Sequence, residues 1–108
     1  MSREANDRIA ALRRRIDELD ARISDLLNER AGFASEIGSL KRSLGWPVYD
    51  PERESEILDR LQREGKGPLT AAAVRRIFER ILDESRRLER MREEAGAGGD
   101  TSGVESET

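Results

Sequence analysis

Arg30 is the residue whose position is most unusual for its type. Apolar side chains recur in steps of three and four before and after it, and Arg30 alone interrupts the series. This apolar stripe consists of Ile9, Leu12, Ile16, Leu19, Ile23, Leu26, Phe33, Ile37, Leu40 and Leu44. Burying a guanidinium without a partner is costly, so a cation in such a stripe indicates that an anion or a carboxylate meets it. An anion-binding pocket inside a helical bundle is the first hypothesis; a buried salt bridge, or a side chain that extends out to solvent, is the alternative.

Four more polar residues fall on predicted apolar faces. Lys41 lies about 16 Å along the same ideal helix from Arg30 and about 20° around its axis. Glu54 is in phase with the apolar side of a second helix, and Ser85 and Glu89 fall on the stripe of a third. Singly, each is more often a surface charge or a small core residue. Together, two cations, a hydroxyl and two carboxyls suit a small dianionic ligand better than a nucleophilic reaction.

Composition excludes several classes of function. The 108 residues include no cysteine and no histidine, so thiolate metal sites and His-based catalysis are not expected. The apolar content of 35% gives one small domain a weak core, which favours association with a partner subunit. No segment has the composition of a membrane span or a signal peptide, which predicts a cytoplasmic protein without a membrane partner.

The charge pattern does not indicate nucleic-acid binding. Basic residues of the last helix, Arg75, Arg76, Arg80, Arg86 and Arg87, alternate with acidic ones, which is typical of a solvated face. Residues 95–108 are rich in Gly, Ser and acidic side chains, so we predict a disordered tail there and a folded domain over residues 1–94.

Periodicity and capping residues predict three helices. The first runs from about Asp7 to Leu44, where Gly45 and Pro47 end it. At about 57 Å it is too long for a compact monomer of this size, which favours a dimer built along it. Asp50 and Pro51 open a short second helix that stops at Gly65, and Thr70 caps a third. The apolar face of the third helix is Val74, Ile77, Phe78, Ile81, Leu82 and Leu88.

Several segments together resemble the all-helical class of chorismate mutases, class II. The resemblance covers about Ile9 to Arg90. The residues that carry it are Leu12 to Asp20, Leu27 to Arg30, Ile37 and Gly38 with Lys41, Val48 to Glu54, and Ile81 to Ser85.

This resemblance implies an all-α homodimer of intertwined three-helix chains. It implies the Claisen rearrangement of chorismate to prephenate, in phenylalanine and tyrosine biosynthesis, without a cofactor. In each of two sites Arg13 is supplied by the other subunit. Within one ideal helix Arg13 lies about 25 Å and about 100° from Arg30, so one chain cannot bring both to a small ligand.

The resemblance also assigns roles to the other site residues. Arg13 and Arg30 pair with the two substrate carboxylates, assisted by the Ser85 hydroxyl, because bidentate guanidinium contacts suit planar carboxylates. Lys41 donates to the ether oxygen whose bond breaks.

The remaining roles concern the ring hydroxyl and the second donor to the ether oxygen. Glu54 and the Asp50 backbone hold the ring hydroxyl, and Arg53 adds positive potential. Some family members have glutamine where this chain has Glu89, and that side chain donates a hydrogen bond. A carboxylate cannot donate, so Glu89 is expected to act in its protonated form.

Alternatives remain open at this stage. An isochorismate pyruvate lyase uses the same fold and a similar cationic pocket, although the segment from Asp50 to Glu54 resembles the mutases more. A non-catalytic helical dimer or a regulatory module that binds an aromatic-pathway metabolite is a further alternative. A partner enzyme of the aromatic pathway is possible in either case.

Overall fold

The computed structural model describes residues 2–98, which form three helices: α1, Ser2–Leu44; α2, Pro51–Glu64; and α3, Ala71–Gly98. The predicted all-α class is confirmed. Helix α1 begins earlier than the expected Asp7, and α3 continues past the boundary predicted at residue 94. The rest of the predicted tail, residues 99–108, lies outside the described residues. Within residues 2–98, no helix is both long and apolar enough to cross a membrane.

Local signals set the helix ends. Gly45 has a φ of 74°, which glycine adopts without strain, and its N–H donates to the carbonyl of Arg42 at 3.1 Å. The N–H of Trp46 donates to the carbonyl of Lys41 at 2.8 Å, which completes a Schellman C-cap. At the start of α2, Asp50 Oδ1 accepts from the N–H of Arg53 at 3.1 Å, and Pro51 fills the first turn. The predicted caps of α1 and α2 are therefore confirmed.

The chain divides into two compact units, Met1–Phe33 and Ala34–Thr108. The first unit is the N-terminal part of α1. In the single chain, the first six residues of its apolar stripe, from Ile9 to Leu26, expose between 42 and 58% of their surface. A helix that leaves its apolar stripe in water gains little from burial, so packing within the chain does not account for the stability of this unit.

The second unit comprises the last turns of α1 with α2 and α3. Its core is formed by Ile57, Leu58 and Leu82, with Leu61 and Phe78 packed against them. The apolar faces predicted for α2 and α3 therefore meet each other.

One predicted member of the α3 face is exposed. Ile77 remains 47% exposed. It is five residues from Leu82, which on an ideal helix places it about 140° away around the axis, on a different side of α3.

Two arginines join α3 to α2. Arg75 Nη1 donates to Gln62 Oε1 at 2.8 Å, and Arg86 Nη1 donates to Glu54 Oε1. Both arginines are half-buried. The prediction that the basic residues of α3 form a solvated face is therefore wrong for Arg75 and Arg86, because their long side chains reach polar groups on α2.

We predict that Thr70→Ala lowers the free energy of unfolding by about 1 kcal/mol, because it removes the N-cap of α3. Thr70 Oγ1 accepts from the N–H of Ala73 at 3.0 Å. The measurement is urea unfolding at one fixed protein concentration, and we expect a lower midpoint with an unchanged slope. Thr70→Ser keeps the hydroxyl and is the control; equal midpoints for the alanine and serine variants would contradict the cap.

Candidate functional site

The predicted site residues are distributed over both units. Arg13 and Arg30 belong to the first unit, and the second unit contains the other six: Lys41, Asp50, Arg53, Glu54, Ser85 and Glu89. The five residues predicted on apolar faces are all half-buried, namely Arg30, Lys41, Glu54, Ser85 and Glu89. Arg13, Asp50 and Arg53 are exposed, and no polar residue within the described range is fully buried.

The turn after α1 brings Lys41 next to Asp50. The Schellman cap at Gly45 turns the chain back, so that Lys41 Nζ donates to the carbonyl of Val48 at 3.5 Å. The same ammonium lies 3.8 Å from Asp50 Oδ2. Asp50 thus has two roles, because its other oxygen caps α2. Lys41 is held by the segment that starts α2, with 21% of its side chain exposed.

Glu54 of α2 contacts α3 through Arg86. The guanidinium of Arg86 pairs with both Glu54 and Asp83, and it lies over the ring of Tyr49 at 5.6 Å from the centroid. The hydrogen bond that Glu54 accepts raises the pKa of Arg86, against the opposing effect of burial. Arg86 is therefore a cation that holds the side chain of Glu54 in place.

Glu89 of α3 contacts the end of α1. Only 12% of its side chain is exposed, and Oε1 accepts from Arg42 Nη1 at 2.8 Å. The other oxygen, Oε2, is buried and has no hydrogen-bond partner among the described residues. A Cβ added at Gly38 would lie 2.8 Å from Cδ of Glu89, so the absence of a side chain at Gly38 is what admits the carboxyl group.

Three further predicted residues lie on α2, α3 and α1. Arg53 pairs with Glu56, one turn along α2, and more than half of its side chain is exposed. Ser85 is half-buried on α3, four residues and about one turn before Glu89. Arg13 is an exposed residue of α1.

The second unit therefore places a buried carboxyl group of α3 against a face of α1 that also carries a cation. Gly38, Lys41 and Arg42 are related by steps of three and four, so they share one face of α1. The head of Glu89 contacts two of them. Such a pair can bind an oxygen atom from two sides if Glu89 carries a proton. Within residues 2–98, no three acidic side chains lie close enough together to hold a metal ion.

Sequence reasoning missed Arg42, and it placed Arg86 on a solvated face instead of next to Glu54. The sequence contains a signal for Arg42. Gly38 lacks a side chain and so leaves space for one from a neighbouring helix, and Arg42 follows it by four residues, one turn along the same face of α1. No comparable signal exists for Arg86, which follows Ser85 in a helix with many arginines.

Comparison with known proteins gives consistent matches. The family model described as chorismate mutase type II matches residues 12–90. A bifunctional chorismate mutase/prephenate dehydratase of Neisseria gonorrhoeae is 42% identical over 90 residues, which are 83% of this chain and 24% of that protein. A chorismate mutase of Methanocaldococcus jannaschii is 40% identical over 57 residues, covering 53% of this chain and 58% of that protein.

A solved structure is similar over most of its length. Chorismate mutase, form II, from Thermus thermophilus superposes with a TM-score of 0.75 at 42% identity, covering 77% of this chain and 94% of that chain. By contrast, this chain spans about a quarter of the length of the bifunctional relatives that it matches.

Proposed function

The chain belongs to the type II chorismate mutase family, and from this premise we propose that it catalyses the rearrangement of chorismate to prephenate. The observation that carries the proposal is the position of Glu89. Its buried carboxyl group lies against the face of α1 that also carries Lys41. An ether oxygen between these two groups would receive a hydrogen bond from each.

The reaction suits a site without a nucleophile. The carbon–oxygen ether bond breaks as a carbon–carbon bond forms within one molecule, so no group is transferred to the enzyme. The protein contributes by holding the folded conformer of the substrate and by stabilising the negative charge that develops on the ether oxygen. We assign the second task to Lys41 and to protonated Glu89.

Substrate binding is assigned to the remaining residues. Arg13 and Arg30 pair with the two carboxylates, and Ser85 adds a hydrogen bond. Glu54, held by Arg86, binds the ring hydroxyl together with the Asp50 backbone. Arg53 adds positive potential.

We further propose that the active form is a homodimer in which Arg13 comes from the other subunit. The exposed apolar stripe of α1 from Ile9 to Leu26 supports this assembly, because a second copy would remove it from water. A cytoplasmic location and cooperation with another enzyme of the aromatic pathway belong to the same proposal.

The direct test is to incubate the purified chain separately with chorismate and with isochorismate, and to measure prephenate and pyruvate. We expect prephenate from chorismate. Pyruvate from isochorismate at the higher kcat/KM would identify a lyase instead. Binding of chorismate without any product would identify a regulatory module.

We predict that Glu89→Gln retains activity and that Glu89→Ala loses about 10²-fold in kcat/KM, because the amide of glutamine can donate the hydrogen bond that the proposal assigns to Glu89, whereas alanine cannot. The measurement is steady-state kcat/KM for chorismate. An equal loss in both variants would count against a donor at position 89.

A further inference from the structure

We propose that Arg42 is a positioning residue for this reaction, because it fixes which oxygen of Glu89 accepts a hydrogen bond and which one donates. The inference rests on the proposed function and adds a residue that the resemblance to chorismate mutases did not include. Arg42 follows Lys41 directly, but it acts through Glu89 rather than by touching the substrate.

The contact itself is well defined. Arg42 Nη1 lies 2.8 Å from Oε1 of Glu89, with 34% of the arginine side chain and 12% of the glutamate side chain exposed. The two residues are 47 positions apart in the chain, so this bond joins α1 to α3. Gly38, one turn before Arg42, leaves the space in which the carboxyl group lies.

The hydrogen bond sets the direction of the carboxyl group. A guanidinium has donors and no acceptor, so Oε1 must accept. In the protonated form proposed for Glu89, the carbonyl oxygen is the better acceptor, which leaves the hydroxyl at Oε2. Because Oε2 is buried and has no partner among the described residues, that hydroxyl can donate to an acceptor that enters the site.

The same argument extends to glutamine at position 89. Its amide oxygen would accept from Arg42, and its NH2 group would occupy the position of Oε2, because the opposite orientation would set two donors against each other. Arg42 thus gives Glu89 and Glu89→Gln the same donor position.

A double-mutant cycle tests this inference. We expect Arg42→Leu to lower kcat about 10-fold with a smaller change in KM, because the substrate still binds but the donor is misplaced. In a Glu89→Ala background, Arg42→Leu should cause no further loss, since no group remains to be positioned. Arg42→Lys should restore part of the rate, because an ammonium also donates to Oε1.

A matched control removes an ion pair elsewhere. Arg80 Nη2 lies 2.7 Å from Glu84 Oε2 on the surface of α3. We expect Arg80→Leu to leave kcat and KM unchanged. If Glu89→Ala has no measurable rate, Glu89→Gln serves as the background, and Arg42→Leu should then lower kcat by about the same 10-fold factor.

Substitution of Gly38 provides a second test of the role of Arg42. A Cβ at Gly38 meets the end of a flexible side chain rather than backbone, so Gly38→Ala should fold while displacing the carboxyl group of Glu89. We expect kcat to fall, and to fall no further when Arg42→Leu is added. Gly32→Ala is the control, because a Cβ there meets no atom within 4 Å.

The outcomes separate the two proposals. An unsubstituted chain that does not convert chorismate would overturn the proposed function, and this inference with it. An active chain whose kcat is unaffected by Arg42→Leu would overturn this inference alone. So would an equal loss in the presence of Glu89 and of Glu89→Ala, because Arg42 would then act without Glu89.

Discussion

Arg30→Ala is expected to lower kcat/KM by about 10²- to 10³-fold, because in the proposed site Arg30 pairs bidentately with a substrate carboxylate. Arg30 is half-buried and alone interrupts the apolar stripe of α1. Part of the loss should appear as a higher KM, since the carboxylate is charged in the ground state, and part as a lower kcat through looser orientation. The measurement is steady-state conversion of chorismate to prephenate.

Assembly distinguishes this role from a structural one. The homodimer proposed above should persist in gel filtration of Arg30→Ala, so that lost turnover reflects lost substrate binding rather than lost assembly. Arg22→Ala removes an exposed arginine from the same helix and is the matched control, with no change expected. An Arg30→Ala protein that turns over normally would exclude Arg30 from substrate binding.

The fold was predictable because its signals are local. Gly45 with a positive φ, Asp50 as the cap of α2 and Thr70 as the cap of α3 each act within a few residues, so composition and spacing were sufficient to locate the helix ends. The predicted first residue of α1 was less accurate, because the segment from Ser2 to Asn6 contains no strong start or stop signal and helix ends fray.

The site was predictable only to the level of helix faces. The 3.6-residue period identified Lys41, Glu54, Ser85 and Glu89 as polar residues on apolar faces, and all four are half-buried.

Periodicity does not state which long side chain crosses to which helix. Arg42 was therefore not predicted and Arg86 was assigned to a solvated face, although they contact Glu89 and Glu54. Arginine is especially hard to assign from sequence, because its flexible stem lets one residue type serve as a surface charge or as a bridge between helices.

The second large effect is expected in mixed dimers, which show which chain supplies Arg13 to a site. If Arg13 serves the neighbouring subunit's site, Arg13→Ala and Arg30→Ala homodimers should both be almost inactive. A mixed dimer of one Arg13→Ala chain and one Arg30→Ala chain has one site in which both arginines are present and one in which both are missing. We expect this dimer, purified through two different tags after co-expression, to recover about half the activity of the unsubstituted dimer.

The converse mixture should behave in the opposite way. A dimer of one unsubstituted chain and one chain with both substitutions lacks Arg13 at one site and Arg30 at the other, so it should be almost inactive. If each site instead drew both arginines from its own chain, this dimer would keep about half of the activity and the first mixture would have almost none. The two mixtures contain the same numbers of Arg13 and Arg30 side chains. A difference between their rates therefore depends only on which chain supplies each arginine to a site.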